Sequence, residues 1–249
     1  MQYGICNLSI VPLRVEPSDA CELVSQVLYG EIFKVLEQRK SWSRIRLAYD
    51  KYEGWIDNKQ YFEITEDNYK SIKNETHLLS NDLVEYIEDD SQQLSTIPLG
   101  ASLNGLNLLN HAYDGNAISK KQPKENLIKT AFMYLNAPYL WGGKTPFGID
   151  CSGFTQMVYK LNGYDLLRDA SQQATQGIAL SFIEESEPGD LAFFDNSEGQ
   201  IIHVGIIMED NYIIHAHGKV RIDRLDHSGI YNTDKKTHTH RLRVIKKII

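Results

Sequence analysis

The sequence predicts an α+β protein with an all-β segment at its front, and three observations carry that reading. Short apolar runs separated by turn residues fill residues 1–65. From Pro123 onward the apolar spacing becomes helical. One cysteine, Cys151, heads an amphipathic helix, and two histidines, His203 and His215, follow on strand-like sequence.

In the front segment the runs are Ser9–Val15, Leu23–Tyr29, Ile32–Glu37, Trp42–Leu47 and Gly54–Ile56. Trp42, Arg44 and Arg46 alternate with Ser43, Ile45 and Leu47, the period of a strand with one buried face. Turn residues such as Pro17-Ser18-Asp19 and Tyr29-Gly30-Glu31 divide the runs, and close spacing of short strands points to a small barrel. Residues 66–123 carry two further strand candidates, Leu83–Ile87 and Ser95–Gly100, broken by polar turns. They read as a second, degenerate barrel or as a linker. Residues 124–249 form the third region. It opens on a helix carrying Leu127, Ile128, Ala131, Phe132 and Leu135, stopped by Asn136-Ala137-Pro138.

A chain of 249 residues can bury a normal core without disulfides. Its net charge of −7 disfavours nucleic acid or an anionic membrane surface as partner. No window approaches the apolar length of a membrane span. The N-terminus shows no positive n-region, so the expected location is cytoplasmic; a chain trimmed of an export signal would read the same. Three cysteines cannot all pair internally, and Cys6 and Cys21 are expected as buried, unreactive thiols in strand-like sequence. There is no CxxC and no Cys/His metal spacing. A zinc set of Cys151, His203, His215 and His217 lacks the carboxylate of an open site, so neither metal nor cofactor is expected.

The chemistry concentrates in two places. Phe154, Met157, Val158 and Leu161 recur at helical spacing after Cys151, and Gly163 supplies a stop. A helix over about 151–162 puts Asp150 at the N-cap and Cys151 in the first turn, where the positive helix end is expected to favour thiolate, the nucleophile of acyl transfer. Downstream, Ile202–Met208 and Tyr212–His217 read as a hairpin. Centred on Glu209, it pairs His203 directly with His215, close enough for one imidazole to orient the other. His217 lies on the same face and is the alternative partner. Cysteine at a helix start, histidine on a strand and a polar residue on the next strand make a papain-like arrangement.

These residues resemble the NlpC family of cell-wall cysteine peptidases. The resemblance rests on Pro138-Tyr139-Leu140-Trp141-Gly142-Gly143, Asp150-Cys151-Ser152-Gly153 and Arg168-Asp169-Ala170-Ser171-Gln172-Gln173. Pro188-Gly189-Asp190-Leu191, His203-Val204-Gly205 and Ile214-His215-Ala216 complete it, over roughly residues 124–225. The front segment resembles a bacterial SH3-like domain through Val11–Pro17, Trp42–Ile45 and Gly54-Trp55-Ile56.

The resemblance implies Cys151 as nucleophile, His203 as general base and His215 as the residue that orients it. It implies Tyr139 and the Cys151 N–H at the oxyanion, and substrate contacts from Asp150, Ser152, Asp169 and Ser171. Trp141 is expected in the core. The implied substrate is a murein-derived peptide, L-Ala-γ-D-Glu-diamino acid, cut before the diamino acid and requiring a free N-terminal alanine. Asp150 would pair with its ammonium group, and Glu16 and Tyr52 of the SH3-like domain would limit substrate length. The competing readings are a secreted hydrolase of intact wall peptides and a wall-binding protein whose catalysis is vestigial.

Overall fold

A computed structural model describes residues 2–249 of the chain. It divides into two compact units: residues up to Lys120 together with Trp141–Pro146, and Lys121–Leu140 together with Phe147–Ile249.

The first unit opens with seven strands: β1 (Gln2–Ile5), β2 (Ile10–Arg14), β3 (Leu23–Leu28), β4 (Ile32–Gln38), β5 (Trp42–Leu47), β6 (Glu53–Asp57) and β7 (Phe62–Ile64). They form one antiparallel sheet in the order β3-β2-β6-β5-β4-β1-β7. Alternation in β5 behaves as read. Ser43, Ile45 and Leu47 are buried, while Arg44 and Arg46 face outward and share Glu53 at 2.7 and 2.8 Å. Val11, Leu13, Val27, Phe33, Ile45 and Ile56 fill the core around Cys6. β1 and β7 were not among the expected strands; both are short, and β1 carries Gly4, whose missing side chain admits the Phe33 ring.

Cys6 is fully buried, and burial pushes its thiol up to about 12. Cys21 corrects the expectation of a second buried strand thiol. It stands in the polar turn between β2 and β3, partly exposed, with Sγ against the carbonyls of Glu16 and Ser18 at 2.9 and 3.0 Å. The run Glu16-Pro17-Ser18-Asp19 turns the backbone off the sheet before Cys21 is reached.

Helix α1 (Glu66–Asn74) starts where Thr65 accepts from the Asn68 N–H, and it buries Tyr69 and Ile72 against Tyr3, Ile5 and Ile32. After β8 (Leu79–Ser80), β9 (Val84–Asp89) pairs with β10 (Leu94–Pro98) and β11 (His111–Tyr113), which follows the short α2 (Leu106–Leu109). β12 (Ala117–Ile118) pairs with β8. Tyr29 packs with Ile87, Ile97, Ala101 and Leu103, so residues 66–120 share a core with the front strands. The segment Trp141–Pro146, with β13 (Lys144–Thr145), completes this unit. Lys144 is buried there, with Nζ 3.3 Å from both oxygens of Glu31 and its N–H on Gln26. Trp141 is not a core residue as expected. It is 59% exposed, because its indole N–H reaches out to the Glu22 carboxylate at 2.7 Å.

The second unit holds α3 (Asn126–Met133), β14 (Gly148–Ile149), α4 (Cys151–Leu161), α5 (Ala170–Gln173) and seven strands. These are β15 (Ile178–Leu180), β16 (Leu191–Asp195), β17 (Ile201–Ile207), β18 (Tyr212–His217), β19 (Lys219–Asp226), β20 (Gly229–Asn232) and β21 (Thr237–Lys247). Their order is β15-β21-β16-β17-β18-β19-β20, and β21 pairs with β20 as well. β21 is long enough to pair with β16 through one half and β20 through the other, so six strands close on themselves around Phe194, Ile207, Ile213, Leu225, Ile230 and Ile245. Helix α4, buried along its whole length, packs against β17 and β18. Among the described residues no helix is long and apolar enough to cross a membrane.

The hairpin register differs from the expected one. Gly205 faces His215 and Ile207 faces Ile213, so the turn is centred on Asp210, not on Glu209. Asp210 and Asn211 both take positive φ (55° and 59°), conformations that aspartate and asparagine tolerate, and Met208 bonds the Tyr212 carbonyl at 2.8 Å. The shift is two residues, not one, so His203 and His215 keep the same face and become diagonal neighbours.

Candidate active site

Helix α4 begins at Cys151 because Asp150 caps it: its carboxylate accepts from the Gly153 N–H at 2.6 Å. The thiol is 6% exposed. Burial is the main influence on it, reinforced by the charge of Asp150, and together they push its pKa up to about 12 against the backbone N–H groups of Val204 and Ser152 and the Arg168 charge. The helix end alone was expected to favour thiolate; in the structure burial wins, so the resting group is a neutral thiol.

His203 stands on β17, beside Val204, and is buried. Its Nε2 lies 2.8 Å from His215 Nδ1. Gly205 permits this, since a side chain there would strike His215 Cβ at 2.9 Å. His215 Nε2 in turn lies 3.1 Å from Asp223 Oδ2 on β19. Arg221 grips the same carboxylate with Nε and Nη2 at 2.7 and 2.9 Å and reaches Asp234 at 2.8 Å. Burial, joined by the neighbouring imidazoles of His215, His240 and His217, holds His203 well below the ordinary range. Burial also lowers His215, although Asp223 opposes it. Both rings are therefore neutral at pH 7. His217 meets His215 and His240 through ring contacts, and the hydrogen bond from His203 goes to His215.

Around Cys151 the polar side chains are interlocked. Arg168, fully buried, donates to both Asp150 oxygens at 3.0 and 2.6 Å and to Ser152 Oγ at 3.0 Å. Gln173 bonds the carbonyls of Ser152 and Leu167 and accepts from Thr155. Tyr139 is half-buried, its phenol raised by burial first and then by the charges of Cys151 and Asp150. Asp169 caps α5 in a box with Gln172, and Ser171 is exposed on that helix's first turn. Glu16 and Tyr52 belong to the first unit. Glu16 is exposed in the β2–β3 turn, and Tyr52 packs against that unit's core.

Sequence reading missed three residues here. Arg168 lay inside a quoted motif, and its signal was a lone cation between apolar leucines and a helix cap. Asp223 lay on β19 out of phase with Val220 and Ile222, so alternation read it outward; the structure buries it, where a carboxylate needs a partner. His240 stacks on His203 with ring centroids 4.2 Å apart. It arrives from β21 by ring closure, which no local pattern signals.

The buried imidazoles set a pH dependence for folding. His203, His215 and His240 are all held low, His240 down to about 4 by burial and then by His215 and His217. Below pH 6.5 the unfolded chain takes up protons that these rings refuse, so stability falls as pH drops, by about 1.4 kcal/mol per pH unit for each such proton. Thermal unfolding between pH 7 and pH 5 should show a falling Tm. A His240→Gln variant should show a shallower fall; an equal slope would remove His240 from the account.

Two families match, one in each half of the chain. Residues 136–241 match the NlpC/P60 family, and residues 13–60 match the bacterial dipeptidyl-peptidase SH3 domain. A gamma-D-glutamyl-L-lysine dipeptidyl-peptidase of Bacillus subtilis is 30% identical over 217 residues, covering 77% of this chain and 71% of that protein. A dipeptidyl-peptidase 6 of Lysinibacillus sphaericus is 27% identical, covering 90% and 93%. The crystal structure of an NlpC/P60 family protein from Bacillus cereus superposes with a TM-score of 0.82 over 99% of both chains, at 20% identity, a likeness of fold. With a buried cysteine opening a helix, a buried pair of strand histidines in the same unit and relatives matched over most of their length, the chain belongs to the NlpC/P60 family and is a cysteine peptidase.

Proposed function

We propose that the chain hydrolyses murein-derived peptides, cutting between γ-D-glutamate and the diamino acid of a peptide with a free N-terminal L-alanine. The observation that carries the reading is the Cys151–His203–His215 array beside the Asp150–Arg168 pair, in a chain that also has a dipeptidyl-peptidase type SH3 domain. The relatives' names, dipeptidyl-peptidases acting at γ-D-glutamyl-L-lysine, support the bond and the exit of a dipeptide.

In this reading His203 Nδ1 takes the Cys151 proton as the sulfur attacks the peptide carbonyl carbon. The Cys151 N–H and the Tyr139 hydroxyl donate to the oxyanion. The imidazolium then protonates the leaving amine of the diamino acid, and water, deprotonated by His203, releases the acyl group and restores the thiol. Starting from a neutral pair, proton transfer accompanies attack, and the lowered pKa of His203 keeps its ring unprotonated at rest and free to accept.

The free amino terminus is read by carboxylates. Asp150 already bonds Arg168, so an ammonium gains less from it than from a lone carboxylate; Ser152, Asp169 and Ser171 are the other contacts proposed. A charge-assisted hydrogen bond of about 1.5–3 kcal/mol corresponds to at least about tenfold in kcat/KM. Mass spectrometry should detect diaminopimelate released from L-Ala-γ-D-Glu-diaminopimelate, with kcat/KM at least about tenfold lower for the N-acetyl peptide. Equal values for the two would sink the free-terminus requirement and favour a hydrolase of intact wall peptides.

A further inference from the structure

Beyond the three residues of the array stands a fourth group to which no role has been given, Asp223. Its carboxylate is 1% exposed, and two donors converge on Oδ2: His215 Nε2 at 3.1 Å and Arg221 Nε at 2.7 Å. Burial works against its charge, but hydrogen bonds from His215 and Arg221 outweigh it and keep the group ionised. An ionised carboxylate only accepts. The neutral His215 must therefore carry its single proton on Nε2, which leaves Nδ1 as an acceptor. His203 Nε2, 2.8 Å away, must then be the N–H donor. Its own remaining nitrogen, Nδ1, is left with a lone pair. The opposite proton arrangement, with His215 protonated on Nδ1, would set two lone pairs against each other at Asp223 and would turn His203 into the tautomer that cannot accept at Nδ1.

We propose that Asp223, held by Arg221, is a positioning residue that fixes the tautomers of His215 and His203 in series, so that the base presents an unprotonated Nδ1 to the thiol. It touches no reacting atom and acts through two rings. The proposal rests on the reading of His203 as base, and it makes a prediction that ordinary packing does not. Only in a chain that has a histidine at 215 does position 223 govern the proton; an asparagine at 215 offers an amide oxygen to His203 and has no ring tautomer to set.

The test is a double-mutant cycle on the full chain, read by kcat and KM for L-Ala-γ-D-Glu-diaminopimelate and, independently of substrate, by the rate of Cys151 alkylation with iodoacetamide in a Cys6→Ala, Cys21→Ala background. Asp223→Ala should lower kcat and alkylation about tenfold with KM unchanged, the scale of a misplaced catalytic proton one ring removed from the base. Asp223→Asn keeps an oxygen that accepts from His215 and should stay within about threefold of the parent. In a His215→Asn chain, Asp223→Ala should cost less than about twofold. Equal losses in both backgrounds, or equal losses for Asn and Ala, would overturn the proposal. If Asp223→Ala fails to fold, the near-isosteric Asp223→Leu takes its place in the same two backgrounds: a loss of about tenfold with His215 and less than about twofold with His215→Asn supports the proposal, and equal losses overturn it. A parent chain that alkylates normally but leaves the peptide intact would fault the substrate reading and leave the cycle readable by alkylation.

Discussion

Replacing Cys151 by alanine will abolish turnover and leave the fold standing. The sulfur is the only atom lost, so no acyl-enzyme forms, and the loss should be at least about 10⁴-fold, as when the nucleophile of a catalytic array is removed. The helix it heads does not depend on it: the Asp150 cap on Gly153 and the Arg168 bridge to Asp150 and Ser152 remain. Far-ultraviolet circular dichroism and Tm should match the parent within a few degrees. Cys6→Ala should lower stability, because Cys6 fills a packed core, and keep activity. Cys21→Ala, at an exposed turn, should change neither. Loss of turnover in a folded Cys6 or Cys21 variant would move the nucleophile away from Cys151.

The second large effect belongs to the imidazoles. His203→Ala should cost about 10³- to 10⁴-fold in kcat, since a buried neutral thiol with a pKa pushed up to about 12 has no other group to take its proton. His215→Ala should cost about 10- to 100-fold, because it removes the 2.8 Å bond that orients the base but leaves the base present. His217→Ala, whose ring only packs on its neighbours, should remain near the parent. A larger loss at His217 than at His215 would exchange their roles. Steady-state kinetics of the three variants, with circular dichroism to check folding, decides the order.

How much of this was legible in the sequence depends on the range of the interaction. Helix α4, its cap and strands β2 to β6 of the front sheet follow from local spacing, and each formed where the pattern put it. The face shared by His203 and His215 also came through, because a strand period of two survives a register shift of two. The register itself did not. Turn chemistry at Asp210 and Asn211 set it, and a count of residues could not choose between an odd loop centred on Glu209 and one centred on Asp210. The protonation state of Cys151 was misread for a related reason: the helix end is a local feature, whereas burial is collective. Arg168, Asp223 and His240 needed partners 18, 8 and 37 residues away, to Asp150, His215 and His203, and sequence order does not announce those meetings.

Residues 141–146 give the chain an interleaved connectivity. Six residues within the span of the second unit fold with the front strands instead, so the backbone enters the first unit twice and no single cut separates the two. A fragment begun at Lys121 would keep Cys151 and its histidines but carry Lys144 without Glu31 and Gln26, and Trp141 without Glu22. In this chain the part bearing the nucleophile therefore cannot be cut out at one point without breaking those bonds. Grafting this chain's catalytic part onto another N-terminal module would leave Lys144 without Glu31 and Gln26, and Trp141 without Glu22, unless that module supplied equivalent groups.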